Sequence, residues 1–302
     1  MNKETLGTVL ALIAAVISGF AIPVNKIFVV DLDPTVFTAV RAIIIGVIFL
    51  GLSILTNRFS LRNIKEMDWR YLLLIAVIGG AFAFLLFFTG LKFTTGGRAA
   101  FLHKTLPLYV AIFAFILLRE KIPKKQIFAL IIMLIGTVVL FSAQINPADL
   151  WMNPQLGDAL VIGATILWAL ENVIARKAMI KGETNFVVSF ARMFFGGIIL
   201  FGVVLLLGKF DLLLSLSAQQ WFNISISVAI LFVYVLFWYW SILHINVSKA
   251  SSLLLIAPVV SLVVGVLWLG EPAPNLQLMG SALILIGAYF VVGIKSRFST
   301  GV

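Results

Sequence analysis

Apolar residues fill this chain in blocks too long for the core of a soluble domain, and short polar links separate the blocks. A helix that crosses a bilayer needs about 20 apolar residues. Ten stretches reach that length, at 5–25, 34–56, 70–91, 95–118, 124–142, 156–177, 185–207, 221–243, 247–269 and 276–294. An isolated helix satisfies its own backbone hydrogen bonds in lipid, so the pattern predicts an all-α integral membrane protein with ten transmembrane helices. The stretch 5–25 reads as an uncleaved first helix rather than a signal peptide, because it lacks an A-x-A site and nine more spans follow it.

Composition agrees: 62% of residues are hydrophobic, 11% are charged and the mean hydropathy is +1.15, far from the balance of a soluble protein. The chain has no cysteine, which removes disulfides and thiolate metal sites, and its two histidines, His103 and His244, lie in different halves. No metal and no cofactor is expected. A net charge of +10 suggests nucleic acid in a soluble protein, but in a membrane protein basic residues collect on the cytoplasmic side. With a cytoplasmic N-terminus, Lys3, Arg58, Arg62, Lys65, Arg70, Arg119, Lys121, Lys124, Lys125, Arg176, Lys177, Lys181, Lys249, Lys295 and Arg297 all fall inside. Lys26, Lys92, Arg98 and Lys209 fall outside, while Arg41, Lys104 and Arg192 fall within spans. The expectation is a multi-pass protein of the cell membrane with both termini cytoplasmic, partnered by the lipid bilayer and a small-molecule substrate and not by nucleic acid.

An internal repeat is visible in the text. A shift of 151 residues places Arg41 on Arg192, Pro107 on Pro258, Glu120 on Glu271, Gln126 on Gln277 and Gly136 on Gly287. The strings LREKIPKKQ and LGEPAPNLQ, each followed by LIG, carry the same spacing. The repeats run 1–145 and 146–302, each with five spans. Five is odd, so the second copy enters the membrane from the opposite side and the two form an inverted pair of five-helix repeats, a common basis for alternating access.

These residues resemble the drug/metabolite transporter superfamily, in its EamA-like branch. The likeness covers about 5–142 and 156–293. The matching positions are the end of the first helix around Asn25 and Lys26 with its counterpart around Asn172 and Arg176, then Arg41 and Arg192, and Glu120 and Glu271. One departure is Ala129, which stands where the second repeat has Gly280. The resemblance implies a secondary transporter that exports amino acids or similar metabolites, with related branches moving nucleotide sugars or phosphorylated sugars. It implies a cavity bounded by the first four helices of each half, with the fifth and tenth peripheral and available for a homodimer.

Candidate site residues follow from cost. A charge deep in a bilayer is expensive and tends to face a wet cavity or a partner. Counting along the spans puts Glu171 and Arg192 at one level, which predicts an ion pair that either ties helices together or gates. Arg41 and Lys104 sit at a matching depth in the other half, with His103 beside Lys104 and no acid opposite; Ala21 stands where the second half has Glu171. They are candidates to attract an anion such as a carboxylate, although long side chains also snorkel. Pro107 and Pro258 interrupt corresponding helices, a pointer to a midplane site that simple packing kinks also explain. Trp168, Tyr234 and Trp238 are candidates for an aromatic pocket wall, while Trp69, Trp151 and Trp221 read as interfacial belt residues. The glycine pairs 79–80 and 196–197 suit close packing or flexible points. No Walker sequence is present, so coupling to an ion gradient, exchange or facilitated flow remains. An enzyme would need a convergent catalytic set, and Glu171 with Lys104, on opposite sides of the midplane, is a poor one; no catalytic residue is assigned.

Overall fold

The structure, a computed structural model, describes residues 2–28, 31–56 and 63–296, apart from the side chains at 22, 25–28, 63 and 64. The sequence expectations for Asn25, Lys26, Arg58, Arg62 and Arg297 lie outside that description. Among the described residues, ten helices are long and apolar enough to span a membrane: α1 Lys3–Phe28, α2 Pro34–Leu55, α3 Trp69–Gly90, α4 Gly96–Leu118, α5 Lys124–Phe141, α6 Leu156–Ile180, α7 Asn185–Leu206, α8 Ala218–His244, α9 Val247–Leu269 and α10 Asn275–Val292. Regular structure among the described residues is entirely helical.

Local chemistry sets the helix ends. Asp33 accepts hydrogen bonds from the amides of Thr35 and Val36 at the start of α2, where Pro34 fixes the first turn. Thr184 and Ser217 cap α7 and α8 in the same way. The ends of α4 and α9 are alike: Arg119 and Gly270, 151 residues apart, both take left-handed backbone, and the next amide, of Glu120 or Glu271, bonds back to Ala114 or Gly265 at 3.1 Å. This is a Schellman-type ending, which glycine adopts freely and Arg119 adopts under strain.

Both α4 and α9 are broken. The helical segment Gly96–His103 gives way at Lys104 and Thr105 before Leu106–Leu118 resumes, and Val247–Leu253 passes through a tight turn at Leu254–Ile256 into Ala257–Leu269. The break falls on the N-terminal side of each proline rather than at it. A proline ring clashes with the carbonyl four residues earlier, here that of His103 or Leu254. Each proline then lies in the first turn of the second segment, where its missing N–H costs nothing.

The halves interlock rather than stand side by side. α1 packs on α8 and α9, α2 on α7, α3 on α6, the second segment of α4 on α6, and α5 on α10. At the α5–α10 seam a methyl on Gly136 would lie 2.8 Å from the Gly280 carbonyl, and one on Gly287 would lie 2.8 Å from the Ala129 carbonyl. That seam therefore depends on small residues. Large side chains such as Phe128, Ile135, Leu206, Leu267 and Tyr289 point outward and exposed, as lipid contact requires.

The N-terminal segment and the end of α10 lie on one face, hereafter the terminal face, because Ser296 donates to Glu4 through both its amide and its hydroxyl at 3.1 Å. The sequence reading places Lys249 on that side. The structure keeps it there but buries it in the first turn of α9, with its ammonium 2.6 Å from Glu4, 2.9 Å from the Thr8 hydroxyl and 2.6 Å from the Ile294 carbonyl. Arg98, expected on the outer side, is likewise buried, in a close ion pair with Asp158 at the start of α6. These two cations are also 151 residues apart, and each reaches across to the other half, one pair on each face.

Candidate substrate cavity

A cavity of about 220 Å³ lies between the halves, where the two broken helices meet. His103, Lys104, Leu106 and Pro107 line it from the break in α4, and Leu254 and Leu255 from the break in α9. Lys104 and Leu255 are repeat equivalents, so one symmetric position is cationic and the other apolar. Arg41 from α2 and Arg192 from α7, also equivalents, both reach the cavity.

The two arginines have different surroundings. Arg192 Nε lies 3.7 Å from Glu171 Oε2, and Glu171, fully buried, accepts a close hydrogen bond from the Tyr239 hydroxyl. Its guanidinium also stands 5.8 Å from the centre of the Tyr239 ring. This charge is matched. Arg41 instead donates to the Ser227 hydroxyl at 3.2 Å and lies over the Phe37 ring at 4.5 Å; the Nε of both arginines makes no hydrogen bond, but only that of Arg192 faces a carboxylate. No acidic side chain lines the cavity, and no acid pairs with Arg41 or Lys104 among the described residues. The buried Nδ1 of His103 is also without a partner. The two halves therefore contribute one neutralised and two uncompensated cations. An unpaired charge kept from water is costly, so this arrangement favours an anionic guest.

Aromatic rings line the cavity beside these cations. Trp168 packs edge-on against His103 at 5.1 Å and Phe84 at 5.2 Å, and its indole N–H donates to the Gly79 carbonyl at 3.1 Å. Tyr234 and Trp238 stack with their planes 5° apart, and the Trp238 indole donates to Asn172 Oδ1 at 2.8 Å. With both indole nitrogens satisfied, the rings offer apolar faces held in fixed orientation.

The Gly79 carbonyl is aimed by a local change of winding. α3 runs as a π-helix over Ala76–Phe82, and α7 does so over Ala191–Phe195. Extra residues per turn of this kind recur at functional sites. The two wide segments touch: a methyl on Gly196 would lie 2.6 Å from Gly80 Cα, and one on Gly79 would collide with the Glu171 side chain. The glycine pairs hold two wide turns in contact and leave room for the buried carboxylate.

Of the sequence candidates, Arg41, His103, Lys104, Pro107, Trp168, Tyr234 and Trp238 line this cavity together with Arg192, and Glu171 stands directly behind it. Pro258 does not; it lines a second recess of about 690 Å³ with Pro23, Gly96, Gly97, Glu271 and Gln277. Lys104 belongs to both spaces, so the recess leads from the face opposite the termini toward the cavity. Sequence reasoning missed Ser18, Ser227 and Tyr239. Asn172 was marked only as a repeat equivalent.

The interlocked inverted repeats, broken helices and internal cavity with its few buried cations define a membrane transporter. The model of the EamA-like transporter family matches residues 5–142 and 155–293, and the chain belongs to that family. Among curated relatives, the uncharacterized transporter YyaM of Bacillus subtilis (strain 168) is 25% identical, covering 93% of this chain and 91% of its own. The uncharacterized transporter YoaV of the same organism is 25% identical, at 98% and 99% coverage. Protein PecM of Dickeya dadantii (strain 3937) is 30% identical, at 76% and 75%. A solved crystal structure shares the fold with a TM-score of 0.78 at 18% identity, covering 95% of this chain and 98% of that one.

Proposed function

We propose that this transporter is a secondary carrier of small organic anions, amino acids and similar carboxylate-bearing metabolites among them, exported across the cytoplasmic membrane by alternating access. The observation that carries the reading is the pairing of two uncompensated cations, Arg41 and Lys104, with an aromatic wall in one small cavity. A carboxylate would sit between the cations, and the apolar body would lie against Trp168, Tyr234 and Trp238. A space of about 220 Å³ is below the range of drug-sized ligand pockets and suits a metabolite better than a nucleotide sugar. Export assumes that the terminal face is cytoplasmic, which the excess of lysine and arginine in the loops of that face supports. The reading assigns the chain no catalytic step.

The same two cations suit a phosphate ester, which gives a second reading with a separate outcome. The test is uptake of a metabolite panel by proteoliposomes holding the purified chain, with and without an imposed pH gradient. The expected result is saturable uptake of one carboxylate class, inhibited by other carboxylates. Inhibition by phosphate esters alone would select the second reading, and a panel in which only cations or neutral solutes move would overturn both.

A further inference from the structure

Glu120 leaves the end of α4 through its left-handed turn and crosses to the other half. Its carboxylate accepts hydrogen bonds from the amide of Val247 at 3.0 Å, the amide of Ser248 at 3.3 Å and the hydroxyl of Ser248 at 2.7 Å. Gln126 donates to the same hydroxyl at 3.3 Å. The carboxylate thus clasps the first turn of α9 to the end of α4 and closes the terminal face at that point.

The repeat places Glu271, Gly96 and Gly97 at the corresponding positions. Glu271 emerges from an identical turn, its amide bonded to Gly265 as that of Glu120 is to Ala114. Here, however, the recess of about 690 Å³ stands between the two elements, lined by Glu271 on one side and by Gly96 and Gly97 on the other. A methyl added to Gly96 would meet nothing within 4 Å, and one added to Gly97 would touch only the Ile145 side chain, at 3.0 Å, which must give slightly. Without side chains, these two residues leave their amides open to an approaching carboxylate. The recess reaches Lys104 and, through it, the cavity.

We propose that Glu120 and Glu271 are alternating clasps: Glu120 holds the terminal face shut in the state seen here, and in the opposite state Glu271 takes the amides of Gly96 and Gly97 while Glu120 releases Val247 and Ser248. The proposal rests on the carrier reading, since only a carrier needs the exchange. The clasps are unequal. Ser248 adds a hydroxyl that Gly97 lacks, and a hydrogen bond to a charged group biases a two-state ratio by roughly tenfold or more. That difference favours the state seen here, in which the recess at the face opposite the termini is open.

The chain lacks cysteine, so label pairs can be introduced without background. Spin labels at Lys92 and Asn275 report the width of the recess, and labels at Lys121 and Lys295 report the terminal face, in the full chain in nanodiscs without substrate. The wild type is expected to give a long distance at the first pair and a short one at the second. Gly97→Ser supplies the missing hydroxyl and should raise the population with a short Lys92–Asn275 distance by about tenfold. Ser248→Ala should shift the ratio the same way, and Glu271→Gln should cancel both effects. A Gly97→Ser shift that survives Glu271→Gln, or a Ser248→Ala variant with wild-type distances, would overturn the clasp. Failure of every solute in the uptake panel would instead remove the proposed cargo and leave this distance exchange intact.

Discussion

The Lys249 ammonium lies 2.6 Å from the Glu4 carboxylate, with only 1% of its side chain exposed. It ties the start of α1 to the first turn of α9, and its repeat partner Arg98 ties the first turn of α4 to Asp158 in α6. Removing one member of such a pair leaves a charge buried without compensation, which costs about 3–5 kcal/mol. Lys249→Met should therefore lower the thermal midpoint in detergent sharply. Glu4→Gln should cost less, because the Glu4 side chain is 24% exposed and water relieves part of the loss. Equal midpoints for Lys249→Met and the wild type would show that the pair does not hold the helices.

Gly79 faces the side chain of Glu171 where α3 winds wide. A methyl there has no space, and because Glu171 is fully buried and held by Tyr239 it has nowhere to retreat. Gly79→Ala should cost about 1–3 kcal/mol through overpacking and should loosen the contact between Arg192 and Glu171. Gly51, on the outside of α2, offers the control, since a methyl there meets nothing within 4 Å. Thermal unfolding of the two variants, measured in one detergent, checks the contrast.

On the face opposite the termini, Asp33 meets Lys209 at 2.6 Å. Burial works against ionisation of the Asp33 carboxyl, but the Lys209 ammonium and the amides of Val36 and Thr35 outweigh it and hold the group below its ordinary 3.8. A carboxylate depressed in the folded state stabilises the fold above its unfolded value and loses that contribution as pH falls through the folded one. The contribution should thus be complete at pH 5 and fade below pH 4. Thermal midpoints of Asp33→Asn and the wild type should differ at pH 6 and converge toward pH 3. The gap should be small, about 1 kcal/mol or less, because both side chains remain partly exposed. A gap that widens in acid would contradict the assignment.

The ten helices were readable because lipid imposes a length and an apolar composition that nothing else in this chain imitates. The repeat was readable because five equivalences survive at one shift. The level shared by Glu171 and Arg192 came from counting rise per residue alone, and the structure places their charged atoms 3.7 Å apart. Partners that depend on contacts between distant segments were not readable. Asp158 sits in the first turn of its helix and reads as an ordinary capping acid, so nothing in the text tied it to Arg98, 60 residues away. Lys249 reads as a cation at the inner end of its span, and nothing in the text ties it to Glu4, 245 residues away. The widened winding of α3 and α7 left only their glycine pairs as a signal, and glycine alone does not distinguish a π segment from close packing.

Lys104 lines both the cavity and the recess that leads to it, while its repeat equivalent is Leu255. If the cation at position 104 holds the cargo, Lys104→Met should weaken anion binding by about 10–150-fold, the equivalent of 1.5–3 kcal/mol for a hydrogen bond to a charged group. Lys104→Arg should retain most of it. A residue needed only for packing would give the opposite order, because methionine matches the lysine stem and the larger guanidinium does not. Titration calorimetry with the transported carboxylate separates the two roles. Folding does not confuse the outcome: Lys104 makes no ion pair among the described residues, so Lys104→Met removes an unpaired, half-buried charge and should leave the thermal midpoint equal to that of the wild type or above it.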